Sequence, residues 1–128
     1  MQELEQEIIQ WHTATFPQAT LESQILKWQE EFKELEQANN YRSYLLELCD
    51  CIIVATAFKR YGKAGEVLSR TFNDCLLSVL DNKKENWDFD KAILTRFVKT
   101  KLEINKTRKW ELIDGVYRHI VDTNNNID

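Results

Sequence analysis

The chain is built from five segments in which apolar residues recur at helical spacing. In the second segment the apolar positions are Leu21, Ile25, Trp28, Phe32 and Leu35, in steps of three and four. Such steps place these side chains on one face of an amphipathic helix. The same spacing predicts helices over 2–15, from 21 onward, over 41–61, over 66–80 and from about 88 to 109, with a polar loop over 81–88.

Residues that cap or end helices fall between these segments. Pro17 ends the first helix, and Thr20 is a suitable N-cap for the second. Gly62 is suited to end the third helix in the left-handed conformation, and Asp88 or Asp90 is suited to cap the fifth. These boundaries support five separate helices.

The buried faces of the later helices follow from the same pattern. Residues 51–58 of the third segment are apolar nearly all round, so we expect that helix to be buried on most sides. In the fourth and fifth segments the residues expected to face the core are Val67, Leu68, Phe72, Cys75, Leu76, Val79, Ile93, Leu94, Phe97, Val98 and Leu102.

Two short β-prone runs flank Asp114-Gly115 near the end of the chain. This dipeptide favours a type I′ turn, which needs positive φ at both central positions. The pattern predicts a β-hairpin over 110–121 and a frayed polar tail over 122–128.

The composition narrows the fold class further. Only three glycines and one proline occur in 128 residues. A β-sandwich or barrel needs frequent turn residues, and a glycine-rich phosphate loop needs clustered glycines, so both are excluded. We therefore expect a single all-α domain over 1–128, a four- to five-helix antiparallel bundle that carries a small C-terminal β-hairpin.

Charge and apolar runs limit the partners. A net charge of −4 argues against general nucleic-acid binding, and no apolar run is long enough to span a bilayer. The first residues lack the basic start and apolar stretch of a signal peptide, so we expect a cytoplasmic protein with three reduced, structural cysteines.

Two pairs of carboxylates are the main candidates for chemistry. Glu31 with Glu34, and Glu47 with Asp50, are each three residues apart, so the members of a pair share a helix face. If the second and third helices pack antiparallel, all four carboxylates converge. Such a group is costly unless a cation lies among them, and oxygen ligands suit Mg²⁺ first and Mn²⁺ second. The alternative is an ordinary solvated acidic face.

A di-iron carboxylate centre is the main rival for these side chains. That centre requires Glu-x-x-His on two helices. His12 and His119 are the two histidines of the chain, and neither lies three residues after a glutamate. The sequence therefore argues against iron.

A basic stripe lies on the fifth helix. Lys101, Asn105 and Arg108 recur in steps of four and three, and together they offer the positive charge and oriented donors that bind a polyphosphate. The alternative is a solvated basic face. Lys27, one turn before Glu31, is placed either to reach phosphate or to pair with Glu31.

The acidic motif Glu30-Glu31-x-x-Glu34, followed by Glu47-x-x-Asp50, resembles that of the MazG-like all-α nucleoside triphosphate pyrophosphohydrolases, a group that includes dimeric dUTPases and dCTP pyrophosphatases. The resemblance continues in the segment 16–20, in Lys27 and in Lys101-x-x-x-Asn105-x-x-Arg108-Lys109-Trp110, and so covers about 11–110. The C-terminal hairpin is similar to that of phage-associated members, which would place the protein in a host cytoplasm. Trp28, where leucine is commoner, departs from the pattern.

The resemblance implies an enzyme that converts a nucleoside or deoxynucleoside triphosphate and water to monophosphate and pyrophosphate with Mg²⁺. It implies the metal ligands Glu31, Glu34, Glu47 and Asp50, a water-positioning role for Glu30 or Glu34, and phosphate contacts from Lys27, Lys101, Asn105 and Arg108. It also implies a nucleobase pocket near Trp11, His12 and Phe16, and a homodimer or homotetramer.

Each implied role has an alternative. For Trp11, His12 and Phe16, each taken alone, the pattern favours core packing over base binding, and aromatic faces that stack on any base do not identify one. The whole chain is alternatively a non-catalytic helical interaction module that keeps the fold.

Overall fold

The computed structural model describes residues 2–83 and 91–120 and confirms an all-α bundle that ends in a β-hairpin. The elements in these residues are α1 (Gln2–Thr15), α2 (Leu21–Gln37), α3 (Tyr41–Ala57), α4 (Gly62–Lys83), α5 (Lys91–Thr107), β1 (Trp110–Ile113) and β2 (Val116–His119). A short 3₁₀ helix (Phe58–Tyr61) follows α3 directly. None of these helices combines the length and the apolar character that crossing a bilayer requires.

The centre of the bundle is α3. It packs against α1, α2, α4 and α5, and residues 51–57 are all buried, as its continuous apolar run predicts. Cys49 and Cys51 are among these core residues, and both are free thiols. Because the second half of α3 is surrounded, a polar side chain at its border, such as Asp50, faces a neighbouring helix.

Helices α2 and α3 run antiparallel and begin with well-formed caps. The Thr20 hydroxyl accepts a hydrogen bond from the Ser23 backbone N–H, and Asn40 caps α3 in the same way. Gln24, near the start of α2, donates to the carbonyl oxygen of Val54, near the end of α3, at 3.0 Å. This antiparallel arrangement brings the middle of each helix, where the carboxylates lie, to the same level.

Several helix boundaries differ from the prediction. The regular turns of α3 end at Ala57, and α4 begins at Gly62 instead of Glu66 and continues through Lys83 into the predicted loop. Gly62 has φ 73° but ψ −155°, so its φ is positive while its conformation is not the predicted left-handed one. Residues 84–90, with the predicted caps Asp88 and Asp90, lie outside the described residues.

The predicted inward face of α5 was partly wrong. Ile93 and Phe97 are 50% and 41% exposed, whereas Lys101 and Asn105 are buried beside Val98 and Leu102. The helix is turned so that these two polar side chains face Asp50 on α3. Apolar spacing could not show this, since the cause is a polar partner on another helix. On α4, Val67 is likewise exposed.

The hairpin has the predicted turn. Trp110 pairs with His119, and Ile113 pairs with Val116. Asp114 and Gly115 have φ values of 51° and 81°, both positive as a type I′ turn requires. The proposed strand end at Val121 and the tail over 122–128 lie outside the described residues.

Candidate functional site

Three of the predicted carboxylates form a cluster between α2 and α3. Glu31, Glu34 and Glu47 each offer a carboxylate oxygen, and these oxygens lie within 4.8 Å of one another. Glu31 is buried, Glu47 is half-buried and Glu34 is exposed, so the cluster opens to solvent on the Glu34 side. The i,i+3 spacing on α2 and the antiparallel packing bring these side chains together.

The cluster contains buried oxygens that lack a partner. Among the described residues, neither Glu31 Oε2 nor Glu47 Oε2 has a hydrogen-bond donor. Burial, with the nearby Asp50, raises the pKa of Glu31 to about 7. Burial and the contact with Glu34 likewise raise the pKa of Glu47 to about 7. Buried carboxylate oxygens without a donor are unfavourable, and an all-oxygen set of this kind fits a hard cation such as Mg²⁺ or Mn²⁺.

Asp50, the fourth predicted ligand, faces the basic stripe of α5. Its Oδ2 lies 3.5 Å from Lys101 Nζ, and its Oδ1 accepts a long hydrogen bond of 3.4 Å from Asn105 Nδ2. Burial raises the pKa of Asp50, while Lys101, Asn105 and Arg108 oppose that rise. Asp50 is not one of the three clustered residues, and its role as a ligand stays a prediction.

The predicted phosphate residues lie beside Glu31 and Asp50. Lys27 Nζ lies 3.4 Å from Glu31 Oε1, one turn away on α2. Lys101 is only 7% exposed, and the Oδ1 of the buried Asn105 has no donor within the described structure. Arg108, just beyond α5, is close enough for its charge to lower the pKa of Asp50. Two positive side chains and an amide therefore border the carboxylates at close range.

Glu30 lies apart from the cluster. Arg118 of β2 donates to both of its oxygens, at 2.8 and 2.7 Å, and this bidentate pairing lowers the pKa of Glu30. Successive residues on a helix point in different directions, which separates Glu30 from Glu31. The carboxylate of Glu30 thus pairs with Arg118, and the water-positioning role predicted for Glu30 stays a prediction.

A cleft runs from the carboxylates to a group of aromatic side chains. Its walls come from α1, α2, α3, the end of α5 and the hairpin, and its lining residues include Trp11, His12, Phe16, Gln24, Lys27, Glu31, Asp50, Asn105, Trp110 and Tyr117. The enclosed space is about 50 Å³. This space holds a few water molecules, so a nucleobase has to lie at the mouth or move the rings apart.

The predicted base-binding residues are packed against one another. The ring centroids of Trp11 and Phe16 are 5.2 Å apart, and those of His12 and Phe16 are 4.8 Å apart. Both neighbours meet Phe16 edge-on. Core packing and cleft lining are therefore combined in the same three side chains.

His12 is a neutral member of this wall. Arg60 Nη1 donates to His12 Nδ1 at 2.9 Å and to the Phe16 carbonyl oxygen at 3.0 Å. Burial, and secondly the charge of Arg60, lower the pKa of His12 to about 3, although a hydrogen bond with Gln24 acts to raise it. These contacts anchor the end of α1 and leave His12 without a charge at neutral pH.

Several lining residues were missed by the sequence interpretation. Gln24 falls on the same face of α2 as Trp28 and Leu35, and a polar residue at a core position is the signal that could have revealed it. Trp110 and Tyr117 flank the predicted turn, but nothing in their spacing shows that the hairpin folds against α1.

Comparison with known proteins adds no relative, since no family model, no curated protein and no solved structure matches this chain. The resemblance to MazG-like enzymes therefore stays a prediction.

Proposed function

We propose that the protein is a Mg²⁺-dependent pyrophosphohydrolase that converts a nucleoside or deoxynucleoside triphosphate and water to the monophosphate and pyrophosphate. One observation carries the proposal: a carboxylate cluster with two unpartnered buried oxygens reaches an aromatic-lined cleft through Glu31. Asp50, which contacts the buried Lys101 and Asn105, lines the same cleft. This arrangement offers cation ligands, phosphate donors and ring faces in one place.

The acidic residues would hold the metal. Glu31, Glu34 and Glu47 are the proposed ligands, with Asp50 as the fourth. When bound, Mg²⁺ would neutralise phosphate oxygens and lower the pKa of a coordinated water. Glu34, the most exposed of the three, is best placed to accept a proton from an incoming water, and Glu30 is the second candidate.

The basic residues would bind the phosphates. Lys101 and Asn105 are held by Asp50, so they are preorganised and largely desolvated, which strengthens their attraction for an anion. Arg108 and Lys27 add positive charge at the border of the cluster. Together these groups would stabilise the negative charge of the departing pyrophosphate.

The direct test is hydrolysis of individual nucleotides. Each dNTP and NTP is incubated with the protein and Mg²⁺, and monophosphate and pyrophosphate are separated by ion-exchange chromatography. We expect turnover of at least one nucleotide. In Glu47→Ala we expect the turnover rate to fall about 100-fold or more, because the variant lacks one of the proposed metal ligands. Glu66→Ala, at an exposed position on α4, is the matched control. Absence of monophosphate from every nucleotide, or full turnover by Glu47→Ala, would overturn the proposal.

We also propose that the chain forms a homodimer or homotetramer. Ile93, Phe97 and Ile104 form an exposed apolar stripe along α5, with 50%, 41% and 41% of their surface exposed. Steps of four and seven keep these side chains on one face. Such a stripe is typical of a surface that a second chain covers.

A further inference from the structure

Strand β2 of the C-terminal hairpin is joined to two different parts of the bundle. Arg118 binds Glu30 on α2 through two hydrogen bonds. The Tyr117 hydroxyl accepts a hydrogen bond of 3.2 Å from the backbone N–H of Gln18, between α1 and α2. These contacts hold β2 against α2 and against the segment that follows α1.

The hairpin also supplies one side of the cleft. The Trp110 ring lies 5.0 Å from that of Phe16, and the Tyr117 ring lies 4.8 Å from it. Trp110 Nε1 donates to the carbonyl oxygen of Asn105 at 3.2 Å. The aromatic end is therefore built by α1 on one side and by the hairpin on the other.

The Glu30–Arg118 pair is suited to position this wall. Its geometry is bidentate, the most directional form of an ion pair, but its side chains are 37% and 41% exposed. An exposed pair contributes little to global stability, so its main effect is on the local placement of the hairpin. Glu30 directly precedes Glu31, which links that placement to the acidic cluster.

We propose that the hairpin is a wall of the nucleotide site, in which Trp110 and Tyr117 contact the nucleobase and Arg118 acts as a positioning residue through Glu30. This inference rests on the proposed function, because it requires that the cleft bind a nucleotide. Aromatic stacking needs rings held at a defined distance and angle. Seating of the hairpin should therefore change the contribution of the base more than that of the phosphates.

The test compares a ligand that has a base with one that has none. Dissociation constants are measured by calorimetry, with Mg²⁺, for non-hydrolysable α,β-imido dNTP analogues and for inorganic tripolyphosphate. We define the ratio as the dissociation constant of the analogue divided by that of tripolyphosphate. In Arg118→Glu we expect this ratio to rise about fivefold, which corresponds to the upper end of the range for an exposed ion pair. Arg70→Glu makes the same charge change on α4, which contributes no described residue to the cleft, and should leave the ratio within twofold.

Two further variants separate positioning from other roles. The double reversal Glu30→Arg/Arg118→Glu restores an opposite-charge pair and should return the ratio towards the wild-type value. Tyr117→Ala removes the ring itself, so the ratio should rise by an amount that differs between analogues with different bases. Hydrogen exchange of the amides of residues 116–119 should become faster in Arg118→Glu and slow again in the double reversal.

The outcomes distinguish this inference from the proposed hydrolysis. An unchanged ratio in both Arg118→Glu and Tyr117→Ala, or tighter analogue binding in either variant, would overturn the hairpin proposal. If the wild-type protein binds the analogues but releases no monophosphate from any nucleotide, the hydrolytic function fails while the ratios still decide the role of the hairpin. If the wild-type protein binds no nucleotide analogue, both proposals are wrong.

Discussion

Glu31 is a charged residue at a core position, only 8% exposed and on the same face of α2 as Trp28 and Leu35. Its folded-state pKa of about 7 exceeds the ordinary value of 4.5. The folded chain therefore holds a proton that the unfolded chain releases between about pH 4.5 and 7. The free energy of unfolding falls as the pH rises through that interval and stays lowered above it.

This linkage gives a prediction for Glu31→Gln. In EDTA at pH 8 the substitution should raise the free energy of unfolding by about 3 kcal/mol, because it removes a carboxylate charge that burial and the nearby Asp50 disfavour. At pH 4.5, where the wild-type carboxyl is protonated, the effect should be small. Urea denaturation at the two pH values measures the difference. Glu66→Gln, on the exposed surface of α4, should change stability by less than about 0.5 kcal/mol at either pH.

Magnesium completes that comparison. At pH 8 a bound cation should stabilise the wild-type protein, by about 2.7 kcal/mol at one hundred times its dissociation constant. Glu31→Gln should lose most of this gain. A wild-type protein that neither Mg²⁺ nor Mn²⁺ stabilises would favour the non-catalytic helical module.

At the scale of elements, the corner between the 3₁₀ helix and α4 depends on Gly65. A Cβ at this position would lie 2.0 Å from the Phe58 carbonyl oxygen and 3.0 Å from the Tyr61 Cβ. Backbone has to move to relieve such a contact, so Gly65→Ala should cost about 3 kcal/mol of stability. Gly115→Ala is the control: it meets no atom within 4 Å, and its φ of +81° should cost about 1 kcal/mol. Urea denaturation compares the two, and equal losses would contradict the role given to Gly65.

The elements themselves were largely predictable from local pattern. Apolar spacing predicted five helices, and Asp114-Gly115 predicted the turn that the φ values confirm. The rotation of α5 was not predictable, because Lys101 turns inward only when Asp50 is opposite it. The contact of Arg118 with Glu30 likewise joins residues far apart in the chain and leaves no periodic signal. In the site, helical spacing and antiparallel packing predicted that Glu31, Glu34 and Glu47 converge. Nothing in the sequence predicted that the hairpin lines the cleft.

At the scale of the whole molecule, the exposed stripe on α5 bears on assembly. Sedimentation velocity should show a dimer or tetramer at micromolar concentration, and Phe97→Asp should shift the protein to a smaller species, because it places a charge in the covered apolar surface. Leu77→Asp, at a 60% exposed position on α4, should leave the oligomer intact. A monomeric wild-type protein would contradict this prediction.

The cleft joins residues from opposite ends of the described chain. Trp11 and Phe16 of its aromatic end come from the beginning, whereas Trp110 and Tyr117 come from the C-terminal hairpin. During synthesis on the ribosome, α1, α2 and α3 emerge long before their aromatic partners. The carboxylates of α2 and α3 therefore leave the exit tunnel first, so a growing chain carries the proposed metal ligands well before Trp110 and Tyr117 can complete the aromatic end of the cleft.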